Sequence, residues 1–172
     1  MTSGTDRLTL VLVGPMAAGK TSVGRRVARR LEVPFIDTDK RVVAENGPIP
    51  AIFAEYGEAR FRELERAAVA AALVEGGVIS VGGGAVTDAG TRDLLRSRPV
   101  VFLTVTPEAV ADRITGGTRP LLAGEDPVGT WTRIFDERRA WYDEVATTTF
   151  DTSRRPMQRV ADDIVSWRRE WK

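Results

Sequence analysis

Gly14-Pro-Met-Ala-Ala-Gly19-Lys20-Thr21 is a Gly-x-x-x-x-Gly-Lys-Thr run, and the residue types in it suit one task, the holding of a polyphosphate. Gly14 and Gly19 permit backbone angles that side chains resist, so successive N–H groups can point at one anion. Lys20 offers a mobile cation to β- and γ-phosphates, and the Thr21 hydroxyl is a hard oxygen of the kind Mg²⁺ accepts. With Ala17, Ala18 and Ser22 these residues form the candidate nucleotide loop. Asp37-Thr-Asp39 adds two carboxylates, and Gly82-Gly83-Gly84 would let a ligand approach the backbone closely. The chemistry that needs such a set is phosphoryl transfer, in which positioning and fixed positive charge do most of the work.

What the chain lacks points the same way. It has no Cys and no His, which removes thiolate nucleophiles, imidazole bases, disulfides and nearly every zinc or haem site. Acid–base work must fall to Asp, Glu, Lys or Tyr. The 172 residues have room for one domain, 1–172, with a sizeable core. A net charge of +1 favours neither nucleic acid nor an anionic membrane as partner. No apolar run approaches the roughly 20 residues that span a bilayer, and no basic-then-apolar leader opens the chain, so the expected compartment is the cytoplasm.

The elements that must position these residues alternate. The loop lies between an apolar strand run, Leu8 to Val13, and a helix of about Thr21 to Leu31 with Val23, Val27 and Leu31 on one stripe. Val33 to Ile36 is a short strand with Asp37 and Asp39 following it in extended chain, and ligands of parallel sheets sit beyond the carboxyl ends of strands. Residues 40–57 read as helical pieces broken at Asn46-Gly47-Pro48 and Tyr56-Gly57. A long helix follows from Glu58 to Glu75, with Phe61, Leu64, Ala68 and Leu73 inward. Further strands run over Val78–Val81, Val100–Val105 and Thr148–Asp151, with helices between them, one from Trp131 to Val145, and another after Pro156. The architecture expected is α/β: a three-layer fold with a five-stranded parallel sheet flanked by helices. Arg119 stands between glycines in an irregular stretch of about 115–127, which reads as a mobile lid bearing a cation.

A Mg²⁺-associated Asp usually ends a second core strand, but Val78–Val81 runs into glycine. Asp37 is therefore the candidate metal carboxylate, unless it serves only to cap a helix, and Asp39 is free to meet an acceptor hydroxyl. Arg62 could pair with Glu58 or Glu65, and Arg138 with acids on its own helix.

Taken together, Asp37-Thr-Asp39 after the phosphate loop, Gly57-Glu-x-x-Phe61-Arg62-x-x-Glu65, Gly82-Gly-Gly84-Ala-Val86, Arg119-Pro-Leu-Leu122 and Arg138-x-x-x-Tyr142 resemble shikimate kinase in order and spacing. The resemblance covers about residues 8–157. It implies transfer of the ATP γ-phosphoryl to the 3-hydroxyl of shikimate in the pathway to aromatic amino acids, by a monomer of nucleoside-monophosphate-kinase type. It implies a substrate-binding region at about 37–65. By likeness, Lys20, Asp39 and Arg119 are catalytic, with Asp39 the base and Arg119 the lid arginine. Arg62, Arg138 and the Gly82–Gly84 backbone hold substrate beside Asp39. Thr21 and Asp37 attend Mg²⁺, and Arg119 and Arg155 join the loop in binding ATP. Ala17-Ala18 replaces a pair often glycine-rich, which should be tolerated because neither residue coordinates a ligand. A kinase for gluconate would share the loop and the acidic strand end, but the two arginines with the three glycines favour a cyclic acid.

Overall fold

The structure is a computed structural model and describes residues 8–114 and 126–172. The expected lid, apart from its last two residues, and with it Arg119, lies outside the described residues.

Five short runs of apolar and β-branched residues form the strands β1 (Thr9–Val13), β2 (Phe35–Asp37), β3 (Gly77–Ser80), β4 (Val100–Thr104) and β5 (Thr148–Asp151). They make one parallel sheet in the order β2-β3-β1-β4-β5. Every residue of β1 and β3 is buried, as strands covered on both faces require. Seven helices accompany them among the described residues: α1 (Lys20–Leu31), α2 (Thr38–Asn46), α3 (Ile49–Glu75), α4 (Ala89–Leu95), α5 (Pro107–Ile114), α6 (Pro127–Val145) and α7 (Met157–Glu170).

Register gathers the chemistry at one edge of the sheet. Ser80 stands opposite both Leu12 and Asp37, so β1, β2 and β3 end together. The phosphate loop, Asp37 to Asp39 and Gly82 to Gly84 all leave from that edge. Two details differ from the sequence expectation. Asp39 lies in the first turn of α2 rather than in extended chain, because Asp37 caps that helix, its Oδ1 accepting from the Lys40 N–H at 3.2 Å. The helix expected from Trp131 begins earlier, at Pro127, where Asp126 Oδ1 takes the Gly129 N–H at 2.9 Å.

The apolar side chains divide into two clusters. The larger fills the space around the sheet and includes Leu10, Val27, Ile79, Phe102, Trp131 and Ile164. The smaller is Val42, Ile52 and Phe61 with Leu64 and Ala68 packed against it, and it joins α2 to α3 beside the site. Its helix α3 bends at Gly57, whose φ of 83° and ψ of 169° leave the helical region.

Gly77, which opens β3, has a φ of 111°, and a methyl group there would stand 2.5 Å from the Pro34 carbonyl oxygen. That backbone cannot retreat, since the same carbonyl accepts from Val78 N at 2.9 Å while Gly77 N donates to Leu8 O at 2.8 Å. Gly77→Ala should therefore lower the unfolding free energy by about 1–3 kcal/mol, measured by urea titration, and an unchanged midpoint would contradict this account of the β2–β3 junction.

Candidate functional site

A loop that points its N–H groups inward must turn its carbonyls outward, and buried carbonyls need donors. Here five in succession have them. Lys20 Nζ donates to Gly14 O at 2.7 Å and Pro15 O at 3.0 Å, and Trp131 Nε1 donates to Met16 O at 2.8 Å. Arg113 Nη1 donates to Ala17 O at 2.7 Å, and Thr152 Oγ1 to Ala18 O at 2.7 Å. Gly19 then takes the left-handed conformation (φ 90°, ψ 21°) that turns the chain into α1. Ala17 also has a positive φ, 66°, a conformation that costs a side-chain-bearing residue on the order of 1 kcal/mol. Where the sequence expects a tolerated alanine, Ala17 holds a strained place in the loop.

Beyond the loop opens a cleft of about 400 Å³ that Lys20, Thr21, Asp37, Asp39, Ser80 and Gly83 help to line. The three glycines admit close neighbours. A methyl group on Gly82 would stand 2.6 Å from Asp39 Oδ1 and 2.8 Å from Glu65 Oε2, and one on Gly84 would stand 2.5 Å from Arg62 Nη2. Arg62 does pair with its helix neighbours, Glu65 at 2.8 Å and Glu58 at 3.3 Å, and still reaches the glycine run. Arg138 bears electrostatically on both Tyr142 and Glu65, the acid that Arg62 also faces, so the two arginines converge on one place from α3 and α6.

The buried acids are tuned by this company. Asp39 is pushed above the usual carboxylate range, first by burial and then by the neighbouring Asp37, while Lys20, Arg62 and a hydrogen bond with Glu65 pull it back. Its Oδ1 is buried with no hydrogen-bond partner. A polar atom left bare in this way is costly unless a ligand completes it. Glu65 is 1% exposed, and burial raises it to about 7 against the pull of Arg62. Burial likewise lifts Tyr142 to about 12, so its hydroxyl keeps its proton.

The oxygens at the cleft fit a magnesium ion in kind. Asp37 uses only Oδ1 for capping, and the Thr21 side chain lines the same cleft. Among the described residues no group of three acidic, His or Cys side chains could cage a metal, and Mg²⁺ accepts such a sparse set because it keeps waters and phosphate oxygens. Ser22 is tied to Arg26, its Oγ accepting at 2.6 Å. Arg155 does not line the cleft and pairs with Asp163 on α7.

Several contributors were not foreseen. Trp131, Thr152 and Arg113 as donors to the loop lie 115, 134 and 96 residues from their acceptors, and no local pattern announces such bonds. Glu65 read as a partner for Arg62 but not as a buried acid touching Asp39. The signal that could have found it was its spacing, four residues beyond buried Phe61 and four before buried Val69.

Comparison with known proteins agrees with the geometry. The family model described as shikimate kinase matches residues 16–169. The chain is 49% identical over 158 residues to the shikimate kinase of Saccharopolyspora erythraea, covering 90% of each protein. It is 42% identical over 161 residues to that of Corynebacterium efficiens, covering 92% of this chain and 95% of the other. The structure of the shikimate kinase from Acinetobacter baumannii in complex with shikimate superposes with a TM-score of 0.87 at 35% identity, covering 94% of this chain and 93% of that one.

Because the folded pKa of Glu65 lies above its unfolded value, the native state holds more protons than the unfolded state between pH of about 4.5 and 7. The stability tied to this group is present below pH 4.5 and is lost as pH rises through 7. Raised Asp39 acts in the same sense. Glu65→Gln should flatten the decline in unfolding free energy across that window in urea titrations at several pH values. A decline as steep as in the parent would mean that Glu65 does not titrate there.

Proposed function

The chain belongs to the shikimate kinase family, and from that premise we propose how its own residues carry the reaction. The reaction transfers the γ-phosphoryl of ATP to the 3-hydroxyl of shikimate, giving shikimate 3-phosphate and ADP, in the pathway to chorismate and the aromatic amino acids. The observation that carries the assignment of roles is the bare oxygen of Asp39, buried above Gly82 beside Arg62 and in one cleft with Lys20.

Gly14 to Ser22 hold the ATP phosphates, with Lys20 Nζ moving from the loop carbonyls to the β- and γ-phosphates. Arg62 and Arg138 pair with the substrate carboxylate, and the backbone of Gly82, Gly83 and Gly84 lies along the ring. Asp39 Oδ1 accepts the hydrogen of the acceptor hydroxyl and takes its proton as the phosphoryl leaves ATP. Burial raises its pKa, which makes it a stronger base than an exposed carboxylate. When bound, Mg²⁺ supplies neutralising charge across the phosphate oxygens, and Thr21 and Asp37 would hold it. Arg119 and Arg155 are assigned to the nucleotide, and Arg119 to catalysis, on the sequence resemblance. We take the chain to act as a monomer in the cytoplasm with neither nucleic acid nor membrane as partner, a reading supported by the net charge of +1. None of the helices described is long and apolar enough to cross a membrane.

ADP release measured with shikimate, with gluconate and with no acceptor tests the activity, and turnover independent of shikimate would refute it. Within the same assay Asp39→Asn should cut turnover at least about a hundredfold with little change in the Mg²⁺ requirement. Asp37→Asn should instead raise the Mg²⁺ concentration for half activity, because the metal loses charge from its surroundings. The opposite pattern would reverse the two roles.

A further inference from the structure

Three glycines in succession have no conformational preference that would aim their peptides, so whatever orients them must come from outside the run. The carbonyls of Gly82, Gly83 and Gly84 each accept a hydrogen bond. Ala85 N donates to Gly82 O at 3.0 Å, Thr87 donates to Gly84 O through N at 3.1 Å and Oγ1 at 2.7 Å, and the Tyr142 hydroxyl donates to Gly83 O. Two of these donors are chain neighbours. The third reaches across 59 residues from α6.

Tyr142 is fully buried, and its ring stacks on Phe102 of β4 at 5.1 Å between centroids, with Phe135 at 6.2 Å. Phenylalanine would serve that packing, whereas burying a hydroxyl is unfavourable unless it is bonded. This one is bonded, since it donates to Gly83 O. In a trans peptide the carbonyl and the following N–H point in opposite directions. A hydroxyl that holds Gly83 O therefore turns the Gly84 N–H away from Tyr142, at the glycine against which Arg62 lies.

We propose that the Tyr142 hydroxyl is the positioning group of the shikimate site, holding the Gly83–Gly84 peptide in its binding orientation before the substrate arrives. This rests on the reading of Gly82–Gly84 given under the proposed function. It extends that reading to a residue that touches no reacting atom.

Tyr142→Phe keeps the ring stack and removes only the oxygen. The KM for shikimate should rise about tenfold, while the KM for ATP and kcat stay within about threefold. Phe135→Leu loosens the same aromatic packing without touching Gly83, and should lower the melting temperature with the shikimate KM unchanged. An unchanged shikimate KM in Tyr142→Phe, an equal rise in both KM values, or an equal rise in Phe135→Leu would overturn the proposal. Absence of shikimate-dependent turnover in the parent would instead refute the activity itself, and this role with it.

Discussion

Backbone amides can serve as anion ligands only if the carbonyls on the same peptides are satisfied elsewhere, and this requirement organises the whole site. At the phosphate loop the partners come from Lys20, α5, α6 and the turn after β5, so elements distant in sequence converge on carbonyls 14 to 18. At the glycine run the same division recurs, with carbonyls of 82 to 84 held from behind. Two adjacent strand ends of one parallel sheet thus present donor-lined loops to one cleft. Neither loop could keep that orientation alone, because the glycines that admit a ligand also remove the steric limits that would fix the chain.

Helix α6 ties the two halves together. Trp131, Phe135, Arg138 and Tyr142 recur at four- and three-residue spacing and so share one face. Trp131 bonds the phosphate loop, Tyr142 bonds the glycine run, and Phe135 stacks between them at 5.1 and 6.2 Å. Beside that helix, buried Glu65 lies with half-buried Asp39 and Arg62. Burial is the main reason both carboxyls stand above their ordinary range; Asp37 adds to it at Asp39 and Asp39 at Glu65, while Lys20 and Arg62 pull Asp39 back and Arg62 and Arg138 pull Glu65 back. With no histidine in the chain, proton chemistry near neutrality falls to carboxyls displaced in this manner.

Much of this was legible in the sequence because it depends on local residue type. The glycine spacing of the phosphate loop, the apolar strand runs and the breaks at Gly47 and Gly57 each reflect a backbone requirement that few residues meet. The five-stranded parallel sheet followed from the alternation of those runs with helix-period segments. Burial of Glu65 was hidden because a charged residue three positions from an arginine reads as a solvated pair, and only the second small core of Val42, Ile52 and Phe61 shows that α3 has no solvent on that side. Asp39 was misplaced into extended chain because capping by Asp37 starts α2 at once. The donors to the loop carbonyls were invisible for a different reason: Arg113, Trp131 and Thr152 are ordinary surface or core residues until the fold brings them to Met16, Ala17 and Ala18.

The lysine of the phosphate loop is engaged before any nucleotide arrives, with Gly14 O and Pro15 O already accepting from its ammonium group. On the role proposed for Lys20, nucleotide capture would be an exchange of one set of oxygens for another rather than the gain of a new set, and the net attraction would be the difference between them. Two backbone carbonyls would then weaken the hold of this cation on ATP and on ADP alike, since either must displace them.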